Sequence, residues 1–110
     1  MIKKKKNVSR TSLKKKADKL FSAKIRARGK CEWCGAVNDT LQCAHVYSRN
    51  NLHLRYDEKN AMCLCAKCHF RWHERPLEGA EWFKTTYPDR YDYLVKERNI
   101  IEEHFDYEKV

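Results

Sequence analysis

The sequence predicts a small α+β protein. Three observations carry that prediction: two Cys-x-x-Cys pairs thirty residues apart, two short apolar runs of strand length between them, and helical apolar spacing on either side. At 110 residues, with 42% hydrophobic and 35% charged side chains, the chain has the length and composition of one domain with a single modest core. No stretch approaches the ~18 consecutive apolar residues of a membrane span. The start, Met1-Ile2 followed by four lysines, lacks the apolar run of a secretory signal. The expectation is a chain that remains in the cytoplasm and uses no membrane. Three segments are expected: a basic arm and amphipathic helix at 1–30, a cysteine-rich centre at 31–75, and a helical extension at 76–110.

Residues 1–10 are mostly Lys and polar, without periodicity, and read as a solvated arm. From Ser12, taken as N-cap, Leu13, Ala17, Leu20, Phe21 and Ile25 recur at helical spacing. Lys14, Lys15, Lys16, Lys19 and Arg26 fill the other faces, and Gly29 is the stop. Residues 1–30 hold thirteen Lys or Arg against the single acid Asp18, a net +12, whereas residues 31–110 net −3. Each phosphate such a segment neutralises releases condensed counterions, so a nucleic acid is its first partner.

Leu41 to Val46 predicts a strand, residues 49–60 a polar loop, and Ala61 to Leu64 a second strand that pairs back. Ala66 to Glu74 predicts a helix with Pro76 as its stop, and Glu78 to Thr86 a further short helix. Pro88 separates that from a last helix, whose one side carries Tyr91, Leu94, Val95, Arg98 and Ile101 to Phe105. Trp33, Trp72, Trp82, Phe70 and the C-terminal tyrosines read as packing around the centre.

The pairs Cys31/Cys34 and Cys65/Cys68 sit on turns that can deliver four thiolates tetrahedrally to one Zn²⁺, and Gly35 permits the tight turn after the first pair. Spacing and compartment favour structural zinc over disulfides, and with few apolar residues nearby the metal supplies much of the folding free energy. Cys43 and Cys63 are left on the strands as small buried residues, with Cys63 the alternative to Cys65 in a shifted register.

A structural zinc site does not need His45, Asn60, His69 and His73. His69 and His73 are four apart on the predicted helix, so their imidazoles share one face and can share a metal. A strand histidine facing them pairs a general base with a charge-stabilising cation. Taken singly, His45 reads as a packed histidine and His69 or His73 as substitutes for a cysteine on zinc.

Taken together, C-E-W-C-G (31–35), Q-C-A-H-V-Y-S-R (42–49), R-Y-D-E-K-N (55–60) and L-C-A-K-C-H-F-R-W-H (64–73) resemble the HNH, or ββα-metal, endonucleases in their four-cysteine form. They look most like small phage-borne members, among them the NinG recombination proteins. The resemblance covers residues 31–74. It implies a zinc-stabilised ββα-metal core flanked by the N-terminal basic helix and the C-terminal helices, and metal-dependent hydrolysis of phosphodiester bonds in DNA, in the cytoplasm of a bacterial or phage-infected cell.

In residue terms it implies structural zinc on Cys31, Cys34, Cys65 and Cys68, and His45 as general base. Asn60 orients the strand or loop, or touches the metal. His69 and His73 hold a catalytic Mg²⁺, Mn²⁺, Ni²⁺ or Zn²⁺, and Arg49 and Arg55 clamp phosphate. The chain departs from the pattern at Ala44, where many such enzymes carry His or Asp as a further ligand. The alternatives are a noncatalytic zinc module that grips nucleic acid by charge, and an adaptor that docks through its C-terminal helix. That helix either closes the core or pairs with a second copy as a homodimer.

Overall fold

Ser9 starts the first helix, three residues before the expected cap: its Oγ accepts a hydrogen bond from the Ser12 N–H at 3.1 Å. The computed structural model of the protein describes residues 9–110, so all but the last two residues of the expected basic arm lie outside it. Helix α1 spans Arg10–Arg26 and buries Ala17, Phe21 and Ile25 at four-residue spacing. Leu20, expected on that stripe, is 51% exposed, because it lies on the flank of the contact face. The helix ends at Ala27, and Gly29 then turns the chain at φ +76°.

Strands β1 (Gln42–His45) and β2 (Ala61–Leu64) pair antiparallel, with Cys43 opposite Cys63 and His45 opposite Ala61. Side chains alternate across the sheet. Cys43, Ala61 and Cys63 pack with Phe21 and Ile25 of α1, while Ala44, Met62 and Leu64 join Leu54, Phe83 and Leu94 on the other face. A two-stranded ladder is marginal alone. Here it is covered on both faces, which is why all four residues of β2 are buried.

The segment expected as loop carries a short helix, α2 (Leu52–Arg55), capped by Asn51, and a 3-10 turn at Glu58–Asn60 capped by Asp57. One-turn elements held by Asn and Asp caps leave no periodicity to read. Helix α3 occupies Ala66–Glu74, the predicted span. Helices α4 (Pro76–Thr86) and α5 (Pro88–Glu97) each begin at a proline. Pro76 therefore opens a helix and does not merely stop one, since a first-turn position needs no N–H. Gly79 lets α4 cross α3 closely: a Cβ there would lie 2.6 Å from Cε3 of Trp72.

Helix α5 ends at Glu97, short of the expected Phe105. The remaining chain returns to α1, where Tyr107 is buried and the Arg10 guanidinium lies 4.9 Å above its ring. The fold is thus α+β, with five α-helices and one two-stranded sheet among the described residues. No helix among them is long and apolar enough to cross a membrane.

One carboxylate closes the free edge of β2. The Glu32 N–H donates to the Cys63 carbonyl at 2.8 Å, and Glu32 Oε2 accepts from the Cys63 N–H at 2.7 Å. Arg28 and Arg90 reach the same carboxylate at 2.8 and 3.2 Å. Burial works to raise the Glu32 carboxyl, but the Cys63 N–H and the two guanidinium groups outweigh it and hold the group below its ordinary 4.5. Replacing Glu32 with Gln is expected to cost about 1.5–3 kcal/mol at pH 7. A depressed carboxyl stabilises the fold above its unfolded pKa, and that contribution is lost as pH falls through the folded value. Urea titrations should therefore show the gap between wild type and variant closing progressively below about pH 4.5. A pH-independent gap would refute this role.

Candidate metal centre and histidine cleft

The two knuckles come together as the cysteine spacing predicts. The sulfurs of Cys31, Cys34, Cys65 and Cys68 all lie within 4.8 Å of one another, with Cys34 and Cys65 at 3.8 Å. A Zn–S bond of ~2.3 Å in a tetrahedron sets an edge of about 3.8 Å, so this donor set fits zinc. Local backbone builds the first knuckle: the Cys31 N–H donates to Ala36, the Gly35 N–H to Cys31, and Gly35 adopts φ +80°. Cys65 forms the N-cap of α3, whose positive end favours thiolates.

Burial works to raise the Cys31 thiol, but backbone N–H groups of Cys34, Cys65 and Trp33 overcome it and bring the group to about 7. Burial and the three neighbouring sulfurs push Cys68 strongly upward. Four thiolates this close would repel one another, and a divalent ion bound between them would offset that repulsion. Cys63 lies outside the cluster, so Cys65 is the member that joins Cys68 in it. The knuckle is also held by aromatic packing: Trp33 stacks on Trp82 at 4.6 Å and meets the edge of Trp72 at 6.3 Å. Phe70, expected to pack there too, is 67% exposed.

A separate cleft of about 510 Å³ runs between α1, β1 and α3. His45, Arg49, His69 and His73 all line it, together with Asp18 and Cys43. His45 Nε2 donates to the Arg55 carbonyl at 2.9 Å, which leaves Nδ1 as the proton acceptor. Burial is the main cause that lowers the His45 imidazole below its ordinary 6.5, with Arg49 and Arg55 adding positive charge nearby. His45 is thus neutral at neutral pH. On α3, His69 Nδ1 donates to Gln42 Oε1 at 2.6 Å, and its Nε2 lies 3.2 Å from His73 Nε2. Two nitrogens bound to one ion at ~2.1 Å stand about 3.0–3.4 Å apart, so this pair can share a cation.

The other expected site residues lie elsewhere. Asn60 is fully buried; its Oδ1 accepts from the Tyr47 N–H at 2.7 Å, and its Nδ2 donates to the carbonyls of Tyr47 and Leu54, each at 3.1 Å. Of its two expected roles, the geometry supports orienting the loop after β1, not contact with a metal. Arg55, expected to clamp phosphate, is 4% exposed and makes a two-bond pair with Asp18 at 2.9 and 2.6 Å. Its Nη1 donates to the Arg49 carbonyl, so its guanidinium serves the fold. Ala44 is buried in the apolar core on the face opposite Cys43, and among the described residues no third His, Cys, Asp or Glu completes a cluster with His69 and His73.

The chain matches no protein-family model, no curated protein and no solved structure. The metal centre and the cleft therefore stand on their own geometry.

Sequence reasoning missed Asp18 and Gln42. Asp18 pairs with Arg55 and accepts from the Tyr56 hydroxyl at 2.8 Å. Burial opposes its ionisation, but Arg55 and Tyr56 prevail and hold it below its ordinary 3.8. Its signal was being the single acid in a strongly basic segment. Gln42 gave none, since its tie to His69 exists only once β1 lies beside α3.

Purified protein is expected to carry one zinc per chain. Cys34→Ser and Cys68→Ser should each lose it together with the helical circular dichroism of the folded state. A folded, zinc-free variant with native dichroism would overturn the structural role.

Proposed function

We propose that this protein is a metal-dependent endonuclease of the HNH type that hydrolyses phosphodiester bonds in DNA. One observation carries the reading: His45, Arg49, His69 and His73 converge from β1, its following loop and α3 on a single cleft. The net +12 of residues 1–30 supports a polyanionic substrate, and α1 forms one wall of that cleft.

In this mechanism Arg55 holds the His45 ring through its carbonyl, and His45 takes a proton from the attacking water at Nδ1. The water oxygen bonds to phosphorus as the bond to the 3′ oxygen breaks. His69 and His73 would hold a divalent cation, with Gln42 fixing the His69 ring and thus its tautomer. Such an ion would supply positive charge that offsets the negative charge developing on the phosphate as the bond breaks. Arg49, exposed at the rim, contacts phosphate, and Asn60 keeps the loop after β1 in position. Processing or recombination of phage-type DNA is the setting this reading suggests.

One observation favours a second reading, a noncatalytic zinc module that grips nucleic acid. His69 and His73 are only two protein ligands, and Ala44 offers none.

Cleavage of supercoiled plasmid with Mg²⁺, Mn²⁺, Ni²⁺ or Zn²⁺ separates the two. Wild type is expected to nick DNA, and His45→Ala to lower the rate by about 10²-fold or more with zinc and DNA binding retained. Because the base is active when neutral and its imidazole lies below 6.5, the rate should rise from acid pH and be level by pH 7. DNA binding without cutting by either protein, under every ion, would favour the second reading.

Removing residues 1–10 is expected to weaken DNA affinity and flatten its dependence on salt, leaving zinc content unchanged. Fluorescence anisotropy across a salt series reads the slope. An unaltered slope would exclude the arm from phosphate contact.

A further inference from the structure

The two cysteines that the metal centre does not use stand opposite each other across the sheet. Cys43 of β1 and Cys63 of β2 are register partners, and both are free thiols. Cys63 directs its backbone N–H and C=O to Glu32, at 2.7 and 2.8 Å, and so away from β1. The pair is therefore of the non-hydrogen-bonded kind, whose Cα atoms stand ~4.5 Å apart with both side chains on one face. A disulfide spans Cα separations of ~4.4–6.8 Å. Both side chains face α1, beside Phe21. Cys63 is fully buried, whereas Cys43 is half-buried and lines the histidine cleft.

We propose that Cys43 and Cys63 form a reversible cross-strand disulfide, made by a peroxide that enters through the histidine cleft. The Cys43 sulfur attacks one peroxide oxygen, the O–O bond breaks, and Cys43 becomes a sulfenic acid as the first water leaves. The Cys63 sulfur then attacks the Cys43 sulfur, the S–O bond breaks, and a second water leaves. The two thiols give up two electrons and two protons, and the peroxide is reduced to water. Burial pushes the Cys43 thiol up to about 11, so its thiolate is scarce at neutral pH and the first step is slow there. The disulfide ties together both ends of the segment 44–62, which carries His45, Arg49 and Asn60, and removes a thiol from the cleft wall. It rests on strand register and does not depend on the nuclease reading.

The test uses the full chain loaded with zinc, treated with hydrogen peroxide over hours and then alkylated for intact-mass and peptide analysis. The expected product has lost two hydrogen atoms, contains a peptide linked through Cys43 and Cys63, retains its zinc, and returns to the starting mass with dithiothreitol. Cys43→Ser should give no link. It is the safer variant because position 43 is only half-buried, and Cys63→Ser should agree with it if it folds. The proposal is overturned if both thiols remain alkylatable throughout. It is equally overturned if Cys43 passes to sulfinic acid without a link, or if oxidation falls on Cys31, Cys34, Cys65 and Cys68 with release of zinc.

Discussion

The meeting of four sulfurs from two turns thirty residues apart is the constraint on which the rest of this structure depends. The strands between those turns have four residues each, too few to hold a sheet by ladder bonds alone. Closing the knuckles fixes the start of α3 against the end of β2, because Cys65 is at once a member of the four-sulfur cluster and the N-cap of that helix. It also brings Glu32 to the outer edge of β2, where its backbone and carboxylate complete the hydrogen bonds the sheet lacks. In a chain with so small a core, a metal held by these sulfurs would supply stability that a larger domain draws from apolar area.

From this anchor the histidine cleft follows by short steps. Helix α3 presents His69 and His73 on one face, and β1 presents His45 across from them. Three internal contacts then fix the strand side. Asp18 holds the Arg55 guanidinium, the Arg55 carbonyl holds the His45 ring, and Asn60 holds the loop at Tyr47. Two of the expected site residues, Arg55 and Asn60, are thereby part of the scaffold behind the cleft. Buried polar side chains with every partner satisfied specify one loop geometry, because any other would leave a charge or an amide unpaired in a dry interior.

Helix α1 serves two surfaces at once. Its buried stripe covers the sheet face that carries Cys43 and Cys63, while Lys15, Lys16 and Lys19 remain exposed. The same helix forms one wall of the histidine cleft, through Asp18, Phe21 and Ser22. The C-terminal chain reinforces this by returning to α1 through Tyr107.

By itself the sequence determined the parts of this protein that rest on local spacing: the two knuckles and their four cysteines, the span of α3, the pairing of Ala61–Leu64 with the first strand, and the shared face of His69 and His73. Each is a repeat of two, three or four residues, and backbone geometry alone turns such spacing into position. The tertiary structure decided what lies across space: that Glu32 edges β2, that Asp18 neutralises Arg55, that Gln42 fixes His69, that Ala44 faces the core, and that the chain after Glu97 folds back instead of continuing α5. These depend on which groups become neighbours after the knuckles close. A buried charge or amide takes whatever partner the fold brings within reach, and no pattern along the chain records which one that is.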